Sequence, residues 1–414
     1  MSRRRLMKPA FTTTHIAVME QSILEAGPLS VMKKFDEAIR QKESDDGGCG
    51  GAAKVNYVDS FHYMTFDVIG ELAFGQSFGM LQKGDLFALD GIKALNTLEY
   101  FKEVYVPLLS KYKELLVPSM IKKINRLKDF TKDVVAKRKK QTASNSNKSP
   151  SGVPQDILQV FINNTDQETK AKLKEKDLIS ELIVQLFGGT DTSSNTLSWT
   201  LFLLMVYPET YKKVCREIRS TFPDRSKPIT YTEGLSKLPY LEAVIYESMR
   251  FLPTTSGRVG RKVPEQQGFE LSTGQYLPPG TEVSVPIYSI HHDGALWKDH
   301  HVFIPERFLA SEKEGNSVED VVARKKNLMT FSTGVRVCPG RNLAMCEIFM
   351  TLANILRDYD FWLPEDMVEF GPDVIDDETG EPRIIPGFLG ITYTPRYSER
   401  DGWICVKHNV ASSQ

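Results

Sequence analysis

Cys338 is the residue best suited to hold a metal ion in this chain, because of the residues around it. A cysteine taken alone is more often a small buried hydrophobic residue. Here, however, Arg336 supplies a fixed positive charge, and Gly334 and Gly340 allow tight turns and close approach of the backbone. The residues after Gly340 are typical of a helix, whose N-terminal N–H groups would face the sulfur. The pattern therefore predicts a thiolate, which is a strong ligand for iron.

A second candidate is the run Gly-Gly-Thr-Asp-Thr at residues 188–192, inside a helical pattern. Two adjacent glycines in a helix cost about 1 kcal/mol each relative to alanine, which predicts a kink or a widened turn with another group against the backbone. The carboxyl group of Asp191 and the hydroxyl of Thr192 follow these glycines closely. The alternative is that these polar side chains only solvate a flaw in the helix.

A third group consists of charged residues that are distant in sequence. Glu247 and Arg250 lie one helical turn apart, and Arg307 follows in the sequence Pro-Glu-Arg-Phe. Such pairs are usually surface contacts worth under about 1 kcal/mol. Because Glu247 and Arg250 stand between apolar helix positions, we expect a buried structural cluster.

The elements that must position these groups are mainly helical. Helical patterns cover residues 1–43 and run from Val55 to Leu81 and on to Lys140, and a single helix of about thirty residues, roughly 45 Å long, runs from about Leu178 to a point before Pro208. Residues 44–51 and 141–152 are predicted to be flexible connections. Short strands are expected after Phe251, in the segments that begin at Phe269, Gln275 and Glu282.

Composition bounds the possible functions. The chain has 414 residues, 41% of them hydrophobic and 25% charged, which is enough for a large core, and its net charge of −1 argues against nucleic-acid binding. Five scattered cysteines disfavour a disulfide framework or a zinc site and fit a reducing compartment. The paired histidines at 291–292 and 300–301 do not form a chelate by themselves. No apolar run reaches the roughly 18 residues of a membrane span, so any membrane contact would involve a surface.

Together these motifs resemble the cytochrome P450 superfamily. The haem-binding loop of that family matches Phe331-x-x-Gly334-x-Arg336-x-Cys338-x-Gly340, its oxygen-activation turn matches residues 188–192, and its Glu-x-x-Arg motif matches residues 247–250. Residues 66–81 and 185–199 are most similar to fungal members, including the benzoate 4-monooxygenase-like and pisatin demethylase-like groups. The resemblance implies a mainly α fold with small β-sheets, in which the N-terminal anchor and part of the larger sheet are missing. It also implies a single domain over 1–414, helical to about 250, β-rich over about 251–290, with the haem-binding loop at 331–340.

The resemblance assigns a role to each site residue. Cys338 would be the axial ligand of the iron in haem b, with Thr192 and Asp191 as catalytic residues for proton delivery. Glu247, Arg250 and Arg307 would form a structural triad. The remaining cofactor-binding candidates are Phe331, Gly334, Arg336, Gly340 and Gly189, together with Arg4 and Arg261 as partners of the haem propionates and Arg258 as a rival to Arg261.

The implied function is a monooxygenase. It would insert one oxygen atom of O2 into a lipophilic small molecule, with aromatic compounds as candidates, using electrons from NADPH that a cytochrome P450 reductase delivers. Arg3, Arg5, Lys325 and Lys326 could form a basic patch for that reductase. We expect a monomer at the cytosolic face of the endoplasmic reticulum or in the cytosol. Two alternatives stay open: a haem-thiolate isomerase or dehydratase that acts on peroxides, and a truncated remnant without activity.

Overall fold

The computed structural model describes residues 2–41, 48–83, 87, 90–95, 97–98, 112, 114–145, 156–165, 170, 172–257, 260–311, 315–390 and 392–409. The prediction of a mainly helical fold with small β-sheets is confirmed in these residues. Their helices are α1 Ser2–Met7, α2 Thr13–Ala26, α3 Pro28–Gln41, α4 Tyr57–Phe74, α5 Met80–Lys83, α6 Pro118–Asn145, α7 Ile157–Asn163, α8 Glu175–Val206, α9 Pro208–Thr221, α10 Tyr231–Gly234, α11 Pro239–Phe251, α12 Ile287–His291, α13 Val318–Asn327, α14 Arg341–Asp358 and α15 Ser398–Asp401.

The strands are short and antiparallel. They are β1 Ala53–Asn56, β2 Arg261–Lys262, β3 Phe269–Glu270, β4 Tyr276–Leu277, β5 Glu282–Val283, β6 Tyr359–Trp362, β7 Gly387–Leu389, β8 Tyr393–Pro395 and β9 Trp403–His408. Strand β9 lies between β1 and β6, and Val406 is opposite both Ala53 and Phe361. The other strands pair two by two, β2 with β5, β3 with β4, and β7 with β8. The strands expected at Phe269, Gln275 and Glu282 are confirmed as β3, β4 and β5.

Helix α8 is the long helix that the apolar periodicity predicts. Its 32 residues run without interruption from Glu175 to Val206, and nearly every residue of its second half is buried. Pro208 begins the next helix, α9, as expected from a residue that cannot continue α8. The widened turn expected at residues 188–192 is wrong. The helical hydrogen bonding continues there, and the Thr192 hydroxyl donates to the Gly188 carbonyl at 2.6 Å.

Two hydrophobic clusters hold the helices together. One joins the second half of α8 to α11 and α14, with Trp199, Leu241 and Phe349 fully buried. The other joins the first half of α8 to α2 and α4, through Leu182, Ile23 and Ile69. Helix α4 also bonds directly to α8, since the Thr65 hydroxyl donates to the Thr190 carbonyl at 3.2 Å. The middle of α8 is thus fixed between α4 on one side and α14 on the other.

Two expectations about the first half of the chain need correction. Val55 lies in strand β1, because its backbone pairs with Ile404 of β9, and the helix begins only at Tyr57. That helix ends at Phe74, and Gly75 follows with a left-handed φ of 67°. Helix α6 continues to Asn145, so residues 141–145 are not a connection. Residues 146–152 and 44–47 of the two expected loops lie outside the described residues.

The scattered cysteines disfavour a disulfide framework, but one disulfide bond is present. Cys49 and Cys405 are bonded to each other and pack with Ala52 and Trp362. The bond joins the segment before β1 to strand β9, two parts of the chain separated by 356 residues. Cys215, Cys338 and Cys346 are free.

Among the residues that the structure describes, no helix combines the length and the apolar character needed to cross a bilayer.

Candidate active site

The loop before α14 presents the Cys338 sulfur. Ser332 and Gly334 both have left-handed φ angles, 57° and 68°, and the second favours glycine. The backbone N–H of Cys338 donates to the carbonyl of Phe331 at 2.8 Å, which closes the loop. Cys338 itself is exposed and lines a cavity. The loop therefore offers a sulfur atom that bonds to no other cysteine and faces open space.

The surroundings of this sulfur act on its charge in opposite directions. Desolvation is the largest effect and raises the pKa of the Cys338 thiol above its ordinary value, whereas the N–H of Gly340, the charge of Arg4 and the N–H and charge of Arg341 oppose that rise. Gly340 is the residue before α14 and contributes no side-chain cap, so the first N–H groups of the helix remain available to the sulfur. This is a set of donors that would stabilise a thiolate bound to a cation.

The cavity has a volume of about 320 Å³ and lies between the Cys338 loop, the middle of α8 and the start of α14. It brings together residues that the sequence motifs single out separately. Those that line it are Gly188, Gly189, Thr192, Arg261, Phe331, Arg336, Cys338 and Gly340. Gly334 belongs to the same loop and faces a neighbouring surface depression instead.

The two glycines of α8 face different surroundings. A Cβ atom added at Gly188 would meet nothing within 4 Å, whereas one at Gly189 would lie 3.0 Å from the Ile69 side chain of α4. Gly188 therefore keeps the cavity open, and Gly189 allows close packing of α8 on α4. The backbone of α8 is exposed to the cavity mainly at Gly188.

Thr192 and Asp191 lie on different sides of α8. Thr192 lines the cavity, while Asp191 is buried and its Oδ1 atom lies 3.6 Å from Nε2 of His62 on α4. The Asp191 side chain is not part of the cavity lining among the described residues. The Asp191 carboxyl group, the expected proton source, therefore lies between α8 and α4, whereas the Thr192 hydroxyl faces the cavity.

Three arginines were expected at the edge of a cofactor. Arg261 and Arg336 line the cavity with exposed side chains, and Arg4 donates a hydrogen bond to the carbonyl of Val337, next to Cys338. Arg4 thus supports the loop from α1 and does not line the cavity in the part of the chain described. Arg258 lies outside the described residues.

The expected triad residues are adjacent. Arg250 bonds to both oxygens of Glu247, and Nε of Arg307 lies 3.4 Å from Glu247 Oε1. Arg307 also donates to the carbonyls of Lys298 and Asp299. This cluster packs behind the cavity, where it connects α11 to the segment that leads to α13.

The expected basic patch is only partly assembled. Lys325, Lys326 and Arg341 line a surface depression beside the Cys338 loop, and Lys325 also pairs with Glu242 at 3.1 Å. Arg3 instead pairs with Asp177 of α8 at 2.9 Å. Arg5 is exposed and has contacts of its own.

Sequence reasoning missed Glu347, a buried carboxyl group of α14. It lines the cavity, and its Oε1 atom has no hydrogen-bond partner in the part of the chain that the structure describes. Burial raises the pKa of Glu347 to about 8, and the Ser193 side chain opposes that rise. Glu347 follows Cys338 by nine residues and has apolar neighbours on its helix. A charged residue within an apolar run is rarely buried without a role, and this feature of the sequence could have identified Glu347.

The histidine pairs have a structural role. Nε2 of the buried His291 accepts the N–H of Met329 at 2.8 Å, which ties α12 to the start of the Cys338 loop. Among the described residues, no group of three or more His, Cys, Asp or Glu side chains could hold a metal ion. A metal in the cavity would therefore depend on a cofactor for its other ligands.

These residues fit a haem group. The exposed sulfur supplies an iron ligand, the open space at Gly188 admits a flat ring against α8, and Arg261 and Arg336 can pair with propionates at its edge. Arg4 and Phe331 would support the loop beneath the ring.

Comparison with known proteins places these features in one family. The model of the family Cytochrome P450 matches residues 1–373. Cytochrome P450 monooxygenase helB1 of Aspergillus fumigatus is 33% identical over 99% of this chain and 66% of its own length, so the chain spans somewhat under two thirds of that relative. Cytochrome P450 monooxygenase helB3 of the same fungus is 31% identical over 96% of this chain and 74% of its own length.

Solved structures agree in fold. The haem domain of cytochrome P450DA superposes with a TM-score of 0.77, over 98% of this chain and 77% of that one, at 19% identity. The likeness supports the fold alone at this level of identity. From the family model and the sequence relatives, the chain belongs to the cytochrome P450 family.

Proposed function

We propose that this protein is a haem-dependent monooxygenase that inserts one oxygen atom of O2 into a lipophilic small organic molecule. The observation that carries the proposal is that the Cys338 sulfur, Gly188 and Thr192 line the same cavity, the sulfur on one wall and α8 on another. When bound there, haem would supply the iron that activates O2, and the Cys338 thiolate would donate electron density to it. The names of the fungal relatives, all cytochrome P450 monooxygenases, support the same reaction class.

The lining of the cavity supports a lipophilic substrate. Val68, Ile69, Met249, Ile287 and Ile348 contribute apolar surface, and most of the exposed surface of the lining is apolar. Apolar walls favour burial of an apolar molecule and exclude water from the reacting centre. Aromatic compounds are the substrates that we propose to test first.

We assign proton delivery to α8. The Thr192 hydroxyl faces the cavity and donates to the Gly188 carbonyl, so its oxygen lone pairs remain available to accept a hydrogen bond from a water or a bound group. The Asp191 carboxyl, on the α4 side of the same helix, would take up protons and pass them toward Thr192 through water. Thr192 would thus hold a proton at Oγ1, and Asp191 would replace it.

The electrons would come from NADPH through a separate reductase. Lys326, Lys325 and Arg341 surround the depression next to the Cys338 loop, and this cationic rim would attract an acidic flavoprotein. That face borders the Cys338 loop, because Gly334 and Val337 also line the depression. We place the protein, as a monomer, at the cytosolic surface of the endoplasmic reticulum, where such a reductase would be found.

The experiment is to express the full chain with haem supplied and record its absorbance after reduction under carbon monoxide. We expect bound haem with the spectrum of a thiolate complex, and loss of that spectrum in Cys338→Ser. Cys215→Ala is the matched control, since Cys215 is also free but is buried in α9. A wild-type chain that folds without haem, or an unchanged spectrum in Cys338→Ser, would contradict the proposal.

The reaction is tested with naphthalene as a lipophilic aromatic probe. A hydroxylated product that requires NADPH, reductase and O2 supports a monooxygenase. Turnover of an organic hydroperoxide without reductase, and none with NADPH, would indicate an isomerase or dehydratase instead.

A further inference from the structure

His62 lies where α4 meets α8, directly beside the Asp191 carboxyl group. Its Nε2 atom is 3.6 Å from Asp191 Oδ1, and its Nδ1 atom is 3.3 Å from the Ser194 hydroxyl. Only 18% of the His62 side chain is exposed, and Nε2 has no hydrogen-bond partner among the residues described. A buried ring nitrogen of this kind needs a polar partner, and the Asp191 carboxyl is the polar group placed to provide one.

Burial keeps this ring uncharged. Desolvation, and to a smaller extent the positive charge of Lys93, lowers the pKa of His62 to about 3. A neutral imidazole has one N–H donor and one acceptor nitrogen, and which is which depends on the groups that face them.

The Ser194 hydroxyl permits either arrangement. It can donate to Nδ1 of His62, or it can accept from Nδ1 and donate to the Asp191 carbonyl, which is also 3.3 Å away. In the first arrangement the hydrogen is on Nε2 and faces an ionised carboxylate. In the second, Nε2 is an acceptor and faces a protonated carboxyl group.

We propose that His62 is the positioning residue for Asp191, because its neutral ring offers the carboxyl group a partner in both of its protonation states. The inference rests on the proposed function, in which Asp191 takes up and releases protons behind Thr192. His62 would hold the carboxyl group in place through each cycle of protonation, and Ser194 would turn with it.

The first test reads the ring directly and does not depend on turnover. The full chain is labelled with 15N-histidine, and the His62 signals are identified as those lost in His62→Phe. Between about pH 6 and 8 we expect a neutral ring, with its one hydrogen on Nε2 where Asp191 is ionised and on Nδ1 where Asp191 is protonated. An imidazolium in this range would overturn the proposal, because a charged ring has no nitrogen that can accept from a protonated carboxyl group.

The second test measures how well NADPH consumption is coupled to product formation, as the product formed and the hydrogen peroxide released per NADPH. The assay contains reductase, O2 and naphthalene, and the variants are compared at equal haem content. His62→Phe removes both nitrogens, and we expect the product formed per NADPH to fall on the order of tenfold while KM for the probe changes little. His62→Gln keeps an N–H group that can reach Asp191 and should retain most of the coupling. His15→Phe is the matched control, since His15 lies on α2 and its buried Nε2 also has no hydrogen-bond partner among the described residues.

The outcomes separate the two proposals. Unchanged coupling in His62→Phe would overturn the role of His62 while leaving the monooxygenase intact. The same holds if His62→Gln and His15→Phe lose as much coupling as His62→Phe. Absence of haem or of turnover in the wild-type chain would instead contradict the proposed function, and the 15N spectrum would still decide the state of His62.

Discussion

Arg250 holds Glu247 through two hydrogen bonds, from Nε to Oε2 at 2.9 Å and from Nη2 to Oε1 at 2.8 Å, and both side chains are fully buried. The remaining donors of Arg250 bond to the carbonyls of His291, His300 and Val302. Glu247 in turn accepts the N–H of Ile304 at 2.9 Å. One ion pair thus orders the backbone from α12 to Ile304, which leads toward the Cys338 loop.

Arg250→Lys should destabilise the chain strongly. Lysine cannot bond to both oxygens of Glu247 and reach three carbonyls, so a buried carboxylate would lose part of its compensation, at a cost of about 3 kcal/mol. Urea unfolding followed by circular dichroism would measure the change. Lys212→Ala is the control, because Lys212 pairs with Glu209 at the surface, and it should leave the free energy of unfolding nearly unchanged. Equal effects of the two substitutions would contradict the role of Arg250 in stability.

Glu347 should make the chain less stable as the pH rises. Because the pKa of folded Glu347 is about 8, above that of an unfolded glutamate, the unfolded chain loses this proton first. Between about pH 5 and 8 the folded state therefore binds more protons, and stability falls by up to about 1.4 kcal/mol per pH unit from this group. Glu347→Gln has no such proton, so its free energy of unfolding relative to wild type should increase over the same range.

The measurement is urea unfolding of wild type and Glu347→Gln at several pH values in that range. Glu209→Gln serves as control, because Glu209 is fully exposed and hydrogen bonding to Lys212 lowers its pKa. A difference between wild type and Glu347→Gln that stays constant from about pH 5 to 8 would show that Glu347 ionises normally.

Local patterns in the sequence located the helices and the loop around Cys338. Apolar periodicity predicted α8 from about Leu178, three residues after its start at Glu175, because one face of a helix repeats every few positions. Val55 was misassigned to a helix because its pairing with Ile404 depends on a strand far along the chain. The sequence predicts a kink or widened turn at residues 188–192, but these residues lie within the continuous helix α8, where Gly189 packs against Ile69 of α4.

Contacts between distant parts of the chain could not be predicted in this way. Asp191 was a candidate from its own motif, but nothing near it in sequence indicated His62. Glu347 follows Cys338 closely, yet its burial depends on α8 packing across it. The pairing of Cys49 with Cys405 likewise requires β1 and β9 to be neighbours. Such contacts follow from tertiary packing, which single-sequence patterns do not encode.

The disulfide predicts a thiol count. Denatured without reductant, the chain should react with a thiol reagent at the three free cysteines, and with reductant at all five. Breaking the bond in Cys49→Ser should lower the free energy of unfolding by about 2–4 kcal/mol, since it ties β9 to a segment distant in sequence. Cys346→Ser removes a buried thiol that is not bonded and is the control for burial alone. Reaction of five thiols without reductant would contradict the bond.

Alanine substitutions at the two glycines of α8 should affect the stability of the chain and its affinity for haem differently. Alanine at Gly188 meets no other atom, so it should stabilise the haem-free chain by about 1 kcal/mol through its higher helix propensity. Its methyl group would enter the cavity, so haem should bind more weakly, as measured by absorbance titration with haemin. Alanine at Gly189 would press on Ile69 at 3.0 Å, so the gain in stability should be smaller or reversed, with less effect on haem affinity. If Gly188→Ala bound haem as tightly as wild type while Gly189→Ala did not, the ring would lie against Gly189, and the open space at Gly188 would belong to the substrate.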